Sequence, residues 1–282
     1  MSESTAGRAA RGGEPDIARI GALIGDPTRA RVLVALTDGR ALTATRLASE
    51  AGVAPSTVSE HLGRLTAAGL VIARAQGRAR FYQLASPAVA DALEAIARIS
   101  PVQPVRSLRE DTRAHALRKA RTCYTHLAGR LGVGLLGGML ARGLMTGGDG
   151  LYHPEQAVHD RLSAPGRDVS YQLTPLGEEA FTGIGVDLRP VLAKRPAVRY
   201  CLDWSEQRHH LAGPLGTALA SRLFALGWVR KAGEHRVVTI TGDGCQQLMD
   251  VFGLPPTWDQ PEPGPARTLP AAVSAAPAAD RR

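Results

Sequence analysis

Residues 26–84 of this 282-residue chain read DPTRARVLVALTDGRALTATRLASEAGVAPSTVSEHLGRLTAAGLVIARAQGRARFYQL, and this stretch decides the fold. Asp26 and Pro27 are typical of a helix start, because an aspartate side chain accepts hydrogen bonds from the first helical N–H groups and proline suits the first helical position. Apolar residues then recur with the helical spacing i, i+3, i+4 until Asp38-Gly39. The stretch therefore opens with a predicted helix.

Two more helices are predicted after it. The first of them begins at Thr43 and stops at Ala51-Gly52, and the other begins at Pro55 with its apolar residues on one side. The opposite side of this last helix carries short polar groups that reach phosphates and base edges of DNA. The predicted DNA-contacting residues of the helix are Pro55, Ser56, Thr57, Ser59, His61 and Arg64.

Residues 69–84 predict a strand, a turn and a second strand. Arg74, Arg78 and Arg80 cluster around the tip of this hairpin at Gly77. Guanidinium groups at such a tip contact phosphates or the adjacent minor groove when the hairpin acts as a wing beside a recognition helix. These three arginines complete the predicted DNA-binding residues.

The pattern as a whole resembles the ArsR/SmtB family of winged helix-turn-helix transcriptional regulators. The resemblance rests on DPTR at 26–29, VAPSTVSEHL at 53–62, AGLV at 68–71 and the arginine and tyrosine residues of the wing. It covers residues 16–100, about a third of the chain. The resemblance implies a homodimer on double-stranded DNA that represses a promoter until an effector, often a metal ion or an oxidant, loosens the complex.

The metal sites of many such proteins are not expected in this chain. The helix before the recognition helix has Ala44-Thr45-Arg46-Leu47-Ala48 where those proteins carry cysteines, and the helix at 87–100 has no histidine or cysteine. The helices at about 16–24 and 87–99 are expected to pair two copies and to place the recognition helices at half-sites about one DNA turn apart. Any sensing chemistry is expected beyond residue 100.

An internal repeat organises the second half of the chain. HLAGRLG at 126–132 recurs as HLAGPLG at 210–216, and a cysteine precedes each copy, at Cys123 and Cys201. Each copy continues with an apolar helix, a hairpin-like stretch, a Thr-x-x-Gly sequence and a short helix. This order is typical of a winged helix. We predict two such units packed together, with an effector site at their pseudo-symmetric interface; a second DNA-contacting surface is the alternative.

The predicted fold class is mainly α with small β-hairpin wings (α+β), an N-terminal winged helix-turn-helix followed by two winged-helix-like pseudo-repeats. Pro101-Val102-Gln103-Pro104 breaks the preceding helix. The predicted parts are a disordered tail (1–14), the DNA-binding domain (15–100), a hinge (101–105), a sensor domain (106–254, with repeats at about 106–190 and 191–254) and a disordered tail rich in proline and alanine (255–282).

Cysteine and histidine residues supply the chemistry of the second half. Cys123-x-x-His126 has the spacing that places two side chains on one helical face, and pseudo-symmetry brings the second copy near them. Thiolate and imidazole ligands suit zinc, cadmium and lead, and a third thiol completes a three-sulfur site for arsenic or lead. The predicted metal or redox residues are Cys123, His126, Cys201, His209, His210 and Cys245.

Three other readings of these residues remain open. Cysteine is often buried, so the duplicated pairs are also explained by packing inherited from one ancestor. A redox-sensing thiol requires an exposed thiolate of low pKa, and Arg121 and Arg199 are placed to lower the pKa of the cysteines that follow them. Tyr124 and Trp204 are placed to line an apolar pocket for an organic ligand.

An enzyme is the remote alternative. Asp203, Glu206, His209 and His210 are residue types that serve as general acids, bases or metal ligands. The sequence has no phosphate-binding glycine loop, no His-Glu-x-x-His motif and no nucleophile elbow. Asp203 is better interpreted as a helix N-cap whose capping box is completed by Glu206. The chain is therefore interpreted as a regulator and not as an enzyme.

Composition agrees with a regulator inside the cell. The chain has 34 Lys and Arg against 26 Asp and Glu, a net charge of +8 that suits a polyanionic partner. No apolar run is long enough for a membrane span, and the N-terminus lacks a signal-peptide core, so a cytoplasmic location is expected. Three cysteines with no tight spacing argue against a disulfide framework.

Overall fold

The computed structural model describes residues 14–77, 79–101, 108–153, 169–232 and 236–261. Its helices are α1 (Ile17–Ile24), α2 (Pro27–Leu36), α3 (Ala44–Ala51), α4 (Pro55–Ala67), α5 (Pro87–Ile99), α6 (Leu108–Lys119), α7 (Gly129–Ala141), α8 (Pro175–Gly183), α9 (Leu188–Leu192), α10 (Gly213–Ala225) and α11 (Gly242–Phe252). Its strands are β1 (Leu42–Thr43), β2 (Val71–Gln76), β3 (Ala79–Leu84), β4 (Arg121–Cys123), β5 (His126–Ala128), β6 (Met145–Thr146), β7 (Gln172–Leu173), β8 (Arg199–Leu202), β9 (His209–Ala212), β10 (Val229–Lys231) and β11 (Val238–Ile240). The mixed fold class that the sequence predicts is confirmed.

The N-terminal half is a winged helix-turn-helix whose helices begin and end at the expected residues. The Asp26 carboxylate accepts from Arg29 N at 2.8 Å, and Thr43 Oγ1 accepts from Arg46 N at 3.3 Å. Gly52 ends α3 in the left-handed conformation, at φ 68°. The wing strands join β1 in a three-stranded antiparallel sheet of order β1-β3-β2. Apolar side chains of α2, α3, α4 and α5 and of the wing form one core beneath it.

Apart from α6 and α9, the described elements of the C-terminal half form two copies of one motif, hairpin–helix–hairpin–helix. The first copy is β4-β5, α7, β6-β7 and α8, and the second is β8-β9, α10, β10-β11 and α11. The sequence repeat predicts the last three elements of each copy. The leading hairpin, which contains the cysteine and the histidine, is an addition that the structure supplies. Apolar residues of both copies share a single core.

The two copies pack through reciprocal contacts at the starts of α7 and α10. A Cβ on Gly132 would lie 2.4 Å from Leu127 O and 3.3 Å from His210 Cβ. A Cβ on Gly216 would lie 2.7 Å from Leu211 O and 3.3 Å from His126 Cβ. Each helix therefore needs a glycine because a carbonyl of its own copy lies too close for a Cβ, and the histidine of the other copy packs beside the same position. This exchange is the pseudo-symmetric interface that the repeat predicts.

One predicted boundary differs in the structure, and another falls mostly on residues that the structure does not describe. Most of the predicted hinge, residues 102–105, lies outside the described residues. The prediction that the chain is disordered from residue 255 onward is wrong for the first residues of this tail. Trp258 packs against the C-terminal core, and the Asp259 carboxylate forms a salt bridge with Lys119 at 2.9 Å. A large aromatic ring contributes enough buried surface to hold a proline-rich segment against α7.

Among the residues that the structure describes, we find no helix with the length and hydrophobicity needed to cross a membrane.

Candidate functional site

The outer face of α4 carries the residues predicted to contact DNA. Pro55, Ser56, Thr57, Ser59 and Arg64 are exposed, and the apolar side of the helix is buried. Ser59 Oγ donates to the backbone carbonyl of Pro55 at 2.8 Å, and the side chain of Arg64 pairs with Glu60 at 2.6 Å. The face thus presents small polar groups at its N-terminal end and an exposed charged pair in the next turns.

His61 differs from the other predicted contacts. Its side chain is half-buried, and Nδ1 lies 3.7 Å from an Asp26 carboxylate oxygen. This contact ties α4 to the start of α2. We therefore interpret the role of His61 as structural, through its contact with Asp26.

The wing presents its arginines to solvent. Arg74 and Arg80 are exposed on β2 and β3, and the Arg80 guanidinium lies 5.6 Å from the centre of the Tyr82 ring. Arg78 lies outside the described residues, as do 233–235 in the turn of the second copy's hairpin. The described part of the wing thus has the exposed positive charge that a phosphate contact needs.

The cysteine and histidine of each copy face each other across a β-hairpin. Cys123 pairs with His126 in the β4-β5 ladder, and Cys201 pairs with His210 in the β8-β9 ladder. Directly opposed residues of an antiparallel pair lie on the same face, with Cβ atoms about 5 Å apart. The prediction that Cys123 and His126 share one face of a helix is therefore wrong. Their proximity comes from strand pairing.

The two hairpins bring four side chains to one point, which we call the Cys/His cluster: Cys123, His126, Cys201 and His210. The ligand atoms of these four residues all lie within 4.8 Å of one another, and all four side chains are buried. His126 Nδ1 has no hydrogen-bond partner among the described residues, although a buried polar atom ordinarily has one. Two thiols and two imidazoles are a donor set that tetrahedral zinc-type sites use. The residues present thus fit a soft divalent ion.

The two imidazoles have opposite protonation tendencies. Burial, together with the smaller effect of the neighbouring His210, lowers the pKa of His126 to about 3. Burial also disfavours the charged form of His210, but hydrogen bonds to Asp203 and Cys123 outweigh it and raise the pKa of His210 to about 9. His126 is therefore a neutral ring at pH 7, whereas His210 is an imidazolium paired with a carboxylate.

Asp203 is the buried carboxylate that organises this side of the cluster. It accepts from Arg121 Nη2 at 2.9 Å and from Gly129 N at 2.7 Å, and it lies 3.3 Å from His210 Nδ1. Burial raises the pKa of Asp203, but Arg121 and His210 outweigh burial and hold that pKa well below its usual range. A carboxylate on the far nitrogen of a histidine is an arrangement that orients metal-binding imidazoles.

The interpretation of Asp203 and Glu206 as a capping box is wrong. Residues 203–207 form turns and no helix follows them. The Asp203 carboxylate accepts from Ser205 N and Glu206 N within this turn, and also from the first residue of α7, in the other copy. A carboxylate that is fully buried against Arg121 is also poorly placed for acid–base catalysis on a substrate.

The reading of Cys123 as a redox-sensing thiolate disagrees with its surroundings. A hydrogen bond with Cys201 and burial raise the pKa of Cys123 well above its ordinary value. Arg121, which is predicted to lower that pKa, pairs with Asp203. Arg199 is exposed instead of buried against its cysteine. The site holds a protonated thiol, which is a poor target for oxidants.

Two of the predicted sulfur and nitrogen ligands lie outside the cluster. His209 is buried, but its Nδ1 shares a hydrogen bond with the Tyr171 hydroxyl at 2.8 Å, and its ring lies 4.0 Å from that of Tyr200. Cys245 lies half-buried on α11 and is a free thiol. In strand β9 neighbouring residues point to opposite faces, so only one of His209 and His210 can face the cluster.

Each cluster cysteine is followed by a residue whose backbone is hydrogen-bonded to the N-terminal half. Tyr124 N donates to Thr37 O at 2.7 Å, and the Tyr124 side chain packs against the N-terminal core. Leu202 O accepts from Arg98 Nη1, on α5, at 3.2 Å. The sequence analysis missed both contacts. They join the strands that carry Cys123 and Cys201 directly to α2 and α5.

Arg236 makes a third connection between the halves. Its Nη1 donates to Glu94 Oε1 at 2.8 Å and to Thr37 Oγ1 at 2.9 Å, while its backbone carbonyl accepts from Thr122 N at 2.9 Å. Burial raises the pKa of Glu94, but Arg236 and Arg121 outweigh burial and lower it, so this carboxylate is ionised in the buried contact. One arginine thus connects Thr122, the residue beside Cys123, to the end of α2 and to α5.

A cavity of about 400 Å³ opens beside the cluster, between α5 and the second copy. His126 and Cys201 of the cluster line it, together with Asp91, Lys194 and Arg199. Tyr124 also lines this cavity, as the pocket interpretation predicts. Trp204 does not line it and lies over the Arg121 guanidinium at 4.5 Å.

Comparison with known proteins gives matches to both halves of the chain. A family model described as a helix-turn-helix domain matches residues 24–72. The HTH-type transcriptional regulator YdfF of Bacillus subtilis (strain 168) is 36% identical over 231 residues, which cover 82% of this chain and 94% of that protein. The HTH-type transcriptional regulator CmtR of Mycobacterium tuberculosis (strain ATCC 25618 / H37Rv) is 45% identical over 80 residues, 28% of this chain and 67% of that protein.

Among solved structures, the NMR structure of the cadmium metal-sensor CMTR from Mycobacterium tuberculosis matches with 38% sequence identity. The match covers 33% of this chain and 100% of that chain, with a TM-score of 0.27.

Proposed function

Because this chain belongs to the HTH-type transcriptional regulators, with a winged helix-turn-helix of the ArsR/SmtB type, we propose that it is a metal-responsive repressor. In this proposal a homodimer binds operator DNA through α4 and the wing. A soft metal ion, held by the Cys/His cluster, is the effector that weakens DNA binding.

The dimer part of the proposal is supported by apolar side chains on the outer faces of α1 and α5. Ile17 is 78% exposed and Ile99 is 68% exposed. Exposed isoleucines on two neighbouring helices favour burial against a second copy. Pairing through these helices places two α4 helices side by side for half-sites about one DNA turn apart.

The observation that carries the effector proposal is the convergence of two thiols and two imidazoles within 4.8 Å in a buried site. This donor set fits zinc and cadmium, which accept mixed sulfur and nitrogen ligands. Trivalent arsenic and lead favour sites richer in sulfur, and Cys245 lies outside the cluster. The relative CMTR is named a cadmium metal-sensor, which supports a soft ion as the effector. We therefore propose cadmium or zinc.

The contacts behind the cluster suggest how the ion changes DNA binding. Coordination draws the four ligands together, so that the two hairpins shift against each other. Tyr124 and Leu202 follow the cysteines and are hydrogen-bonded to Thr37 and Arg98 in the DNA-binding half. A shift of either hairpin therefore changes the position of α2 or of α5, which sets the spacing of the dimer. The ion acts to the extent that it binds the DNA-free arrangement more tightly.

Gel shifts with the region upstream of the protein's own gene test the effector proposal. We expect retardation at low salt and its loss when Cd²⁺ is added. The double variant Cys123→Ser/Cys201→Ser should bind DNA but ignore Cd²⁺, because both sulfur ligands are gone. The matched control is Cys245→Ser, which removes the thiol outside the cluster and should respond normally. A full response in the double variant would overturn the ligand assignment, and no retardation of the wild type would overturn the repressor proposal.

Salt dependence tests the DNA interface. Arg74→Ala/Arg80→Ala should weaken binding about equally for all sequences and flatten the salt dependence, because phosphate contacts release counterions. Ser56→Ala/Thr57→Ala should instead change which sequences are preferred. A sequence-specific loss in the arginine variant would contradict the assigned roles.

A further inference from the structure

We propose that the cavity beside the cluster receives the metal ion as a complex with small anionic thiols, and that Lys194 and Arg199 attract these complexes. The inference rests on the proposed function, because it concerns how the ion reaches the Cys/His cluster. It adds the class of molecule that delivers the ion.

The burial of the cluster makes a route necessary. Cys123, His126, Cys201 and His210 are each less than a tenth exposed, so solvent does not reach the four ligand atoms together. His126 and Cys201 line the cavity. The cavity therefore borders one ligand from each copy, a histidine from the first and a cysteine from the second.

The size of the cavity exceeds what a bare ion needs. Its volume is about 400 Å³, whereas one water molecule occupies roughly 30 Å³ of liquid. Sites for small organic molecules begin at about 300 Å³. In a reducing environment soft ions are held mainly by thiol sulfur. A thiol-bound ion is therefore the form that matches both the volume and the ligand chemistry.

The charge of the lining selects for anions. Lys194 and Arg199 are exposed and line the cavity, and Asp91 is the carboxylate in the lining. Two cations repel a free divalent ion and attract a negatively charged complex, with effects on association rates of about tenfold or more. The Thr125 and Thr217 hydroxyls, 2.7 Å apart in the same lining, offer hydrogen bonds to a carboxylate or sulfonate of the carrier.

Transfer of the ion is a ligand exchange without a redox change. Two bonds from the metal to carrier sulfurs break, and bonds to the Cys123 and Cys201 sulfurs form. The two cysteine thiol protons pass to the two departing carrier thiolates, which leave as thiols. His126 supplies a nitrogen lone pair, and the proton that His210 gives up when it coordinates passes to solvent.

A timed measurement of protein-bound cadmium, after rapid removal of the small carrier complex, tests the inference on the full chain. Cd²⁺ is presented with 2-mercaptoethanesulfonate, which is anionic, or with 2-mercaptoethanol, which is neutral, at low ionic strength. We expect Lys194→Glu/Arg199→Glu to slow uptake from the sulfonate carrier about tenfold and to change uptake from the neutral carrier by less than about twofold. The control Arg189→Glu/Arg195→Glu makes the same change in net charge at exposed residues outside the lining and should leave both rates unaltered.

Two results would overturn the inference while leaving the proposed function intact. One is an equal loss of rate with both carriers in Lys194→Glu/Arg199→Glu. The other is a loss of rate in the control Arg189→Glu/Arg195→Glu as large as that in Lys194→Glu/Arg199→Glu. If wild-type protein binds no cadmium, or if Cys123→Ser/Cys201→Ser binds it as the wild type does, the metal site itself is wrong and the inference is overturned together with it.

Discussion

The two cysteine hairpins have the same strand pairing and differ in the loops that join their strands. In both, a cysteine lies opposite a histidine. The first hairpin turns through Tyr124-Thr125 alone, and this short turn lies against the DNA-binding half. The second turns through residues 203–208, and this longer loop carries Asp203 inward to Arg121 and His210. The turn of the first hairpin thus contacts the DNA-binding half, and the loop of the second hairpin supplies the carboxylate that supports the cluster.

The largest effect should come from the loop of the second hairpin. We expect Asp203→Ala to lower the free energy of unfolding by about 3–5 kcal/mol, because Arg121 is left as an unpaired buried charge. Urea unfolding followed by circular dichroism measures the change. Thr125→Ala, in the exposed turn of the first hairpin, should cost less than about 1 kcal/mol. Equal losses of unfolding free energy in the two variants would contradict the different roles assigned to the two loops.

The pseudo-symmetry itself is tested by the two glycines that contact the opposite histidines. Gly132→Ala and Gly216→Ala should each lower the free energy of unfolding by about 1–3 kcal/mol, because a Cβ meets the backbone at 2.4 Å and 2.7 Å. Gly137→Ala on the same helix as Gly132 has open space and should stabilise by roughly 0.5–1 kcal/mol. Thermal unfolding of all three variants provides the measurement. A loss in only one copy would show that the copies do not pack equivalently.

A smaller effect is expected at Arg236, through which the second copy contacts the DNA-binding half. Arg236→Gln should reduce the change in DNA affinity caused by Cd²⁺ by about tenfold, which is within the usual range of coupling between sites. Cadmium affinity should change by less than about twofold. Fluorescence anisotropy of labelled operator DNA, with and without Cd²⁺, measures the response. Arg230→Gln, exposed on β10, is the control. If cadmium affinity falls as much as the Cd²⁺-induced change in DNA affinity, Arg236 supports the Cys/His cluster itself and not the connection between the cluster and DNA binding.

The smallest effect concerns pH. The pKa of Glu94 is lowered in the folded protein, so its contact with Arg236 contributes stability that is fully present above the unfolded value of about 4.5 and is lost as pH falls through the folded pKa. The difference in unfolding free energy between wild type and Glu94→Gln should therefore be constant above pH 4.5 and shrink below it. Urea unfolding at several pH values measures this difference. A difference that grows on acidification would contradict the assigned pairing.

Local signals were sufficient for most of the winged helix-turn-helix. Asp26, Thr43 and Gly52 mark helix ends through side-chain caps and a left-handed glycine, and these depend only on residues a few positions away. The wing follows from alternating residues around Gly77. Such features are readable because the interactions that fix them are near in sequence.

The hairpins in the second half were misread because their spacing is ambiguous. Two residues separate Cys123 and His126, which suits both one helical turn and a two-residue hairpin loop. Tyr124 is in the left-handed conformation at φ 56°, which is unusual for a residue other than glycine. Contacts with Thr37 and the N-terminal core hold it there, and those contacts are far away in the sequence.

The sequence by itself determined the DNA-binding fold, the duplication and the residue types of the cluster, since caps, periodicity and repetition are local properties of the chain. Only the tertiary structure decided that Cys123, His126, Cys201 and His210 converge, that His209 and Cys245 do not, and that Asp203 and Arg236 connect them to their surroundings. The physical reason is that burial, charge pairing and strand register join residues about 80 to 140 positions apart. Their energies depend on distances that no local pattern specifies.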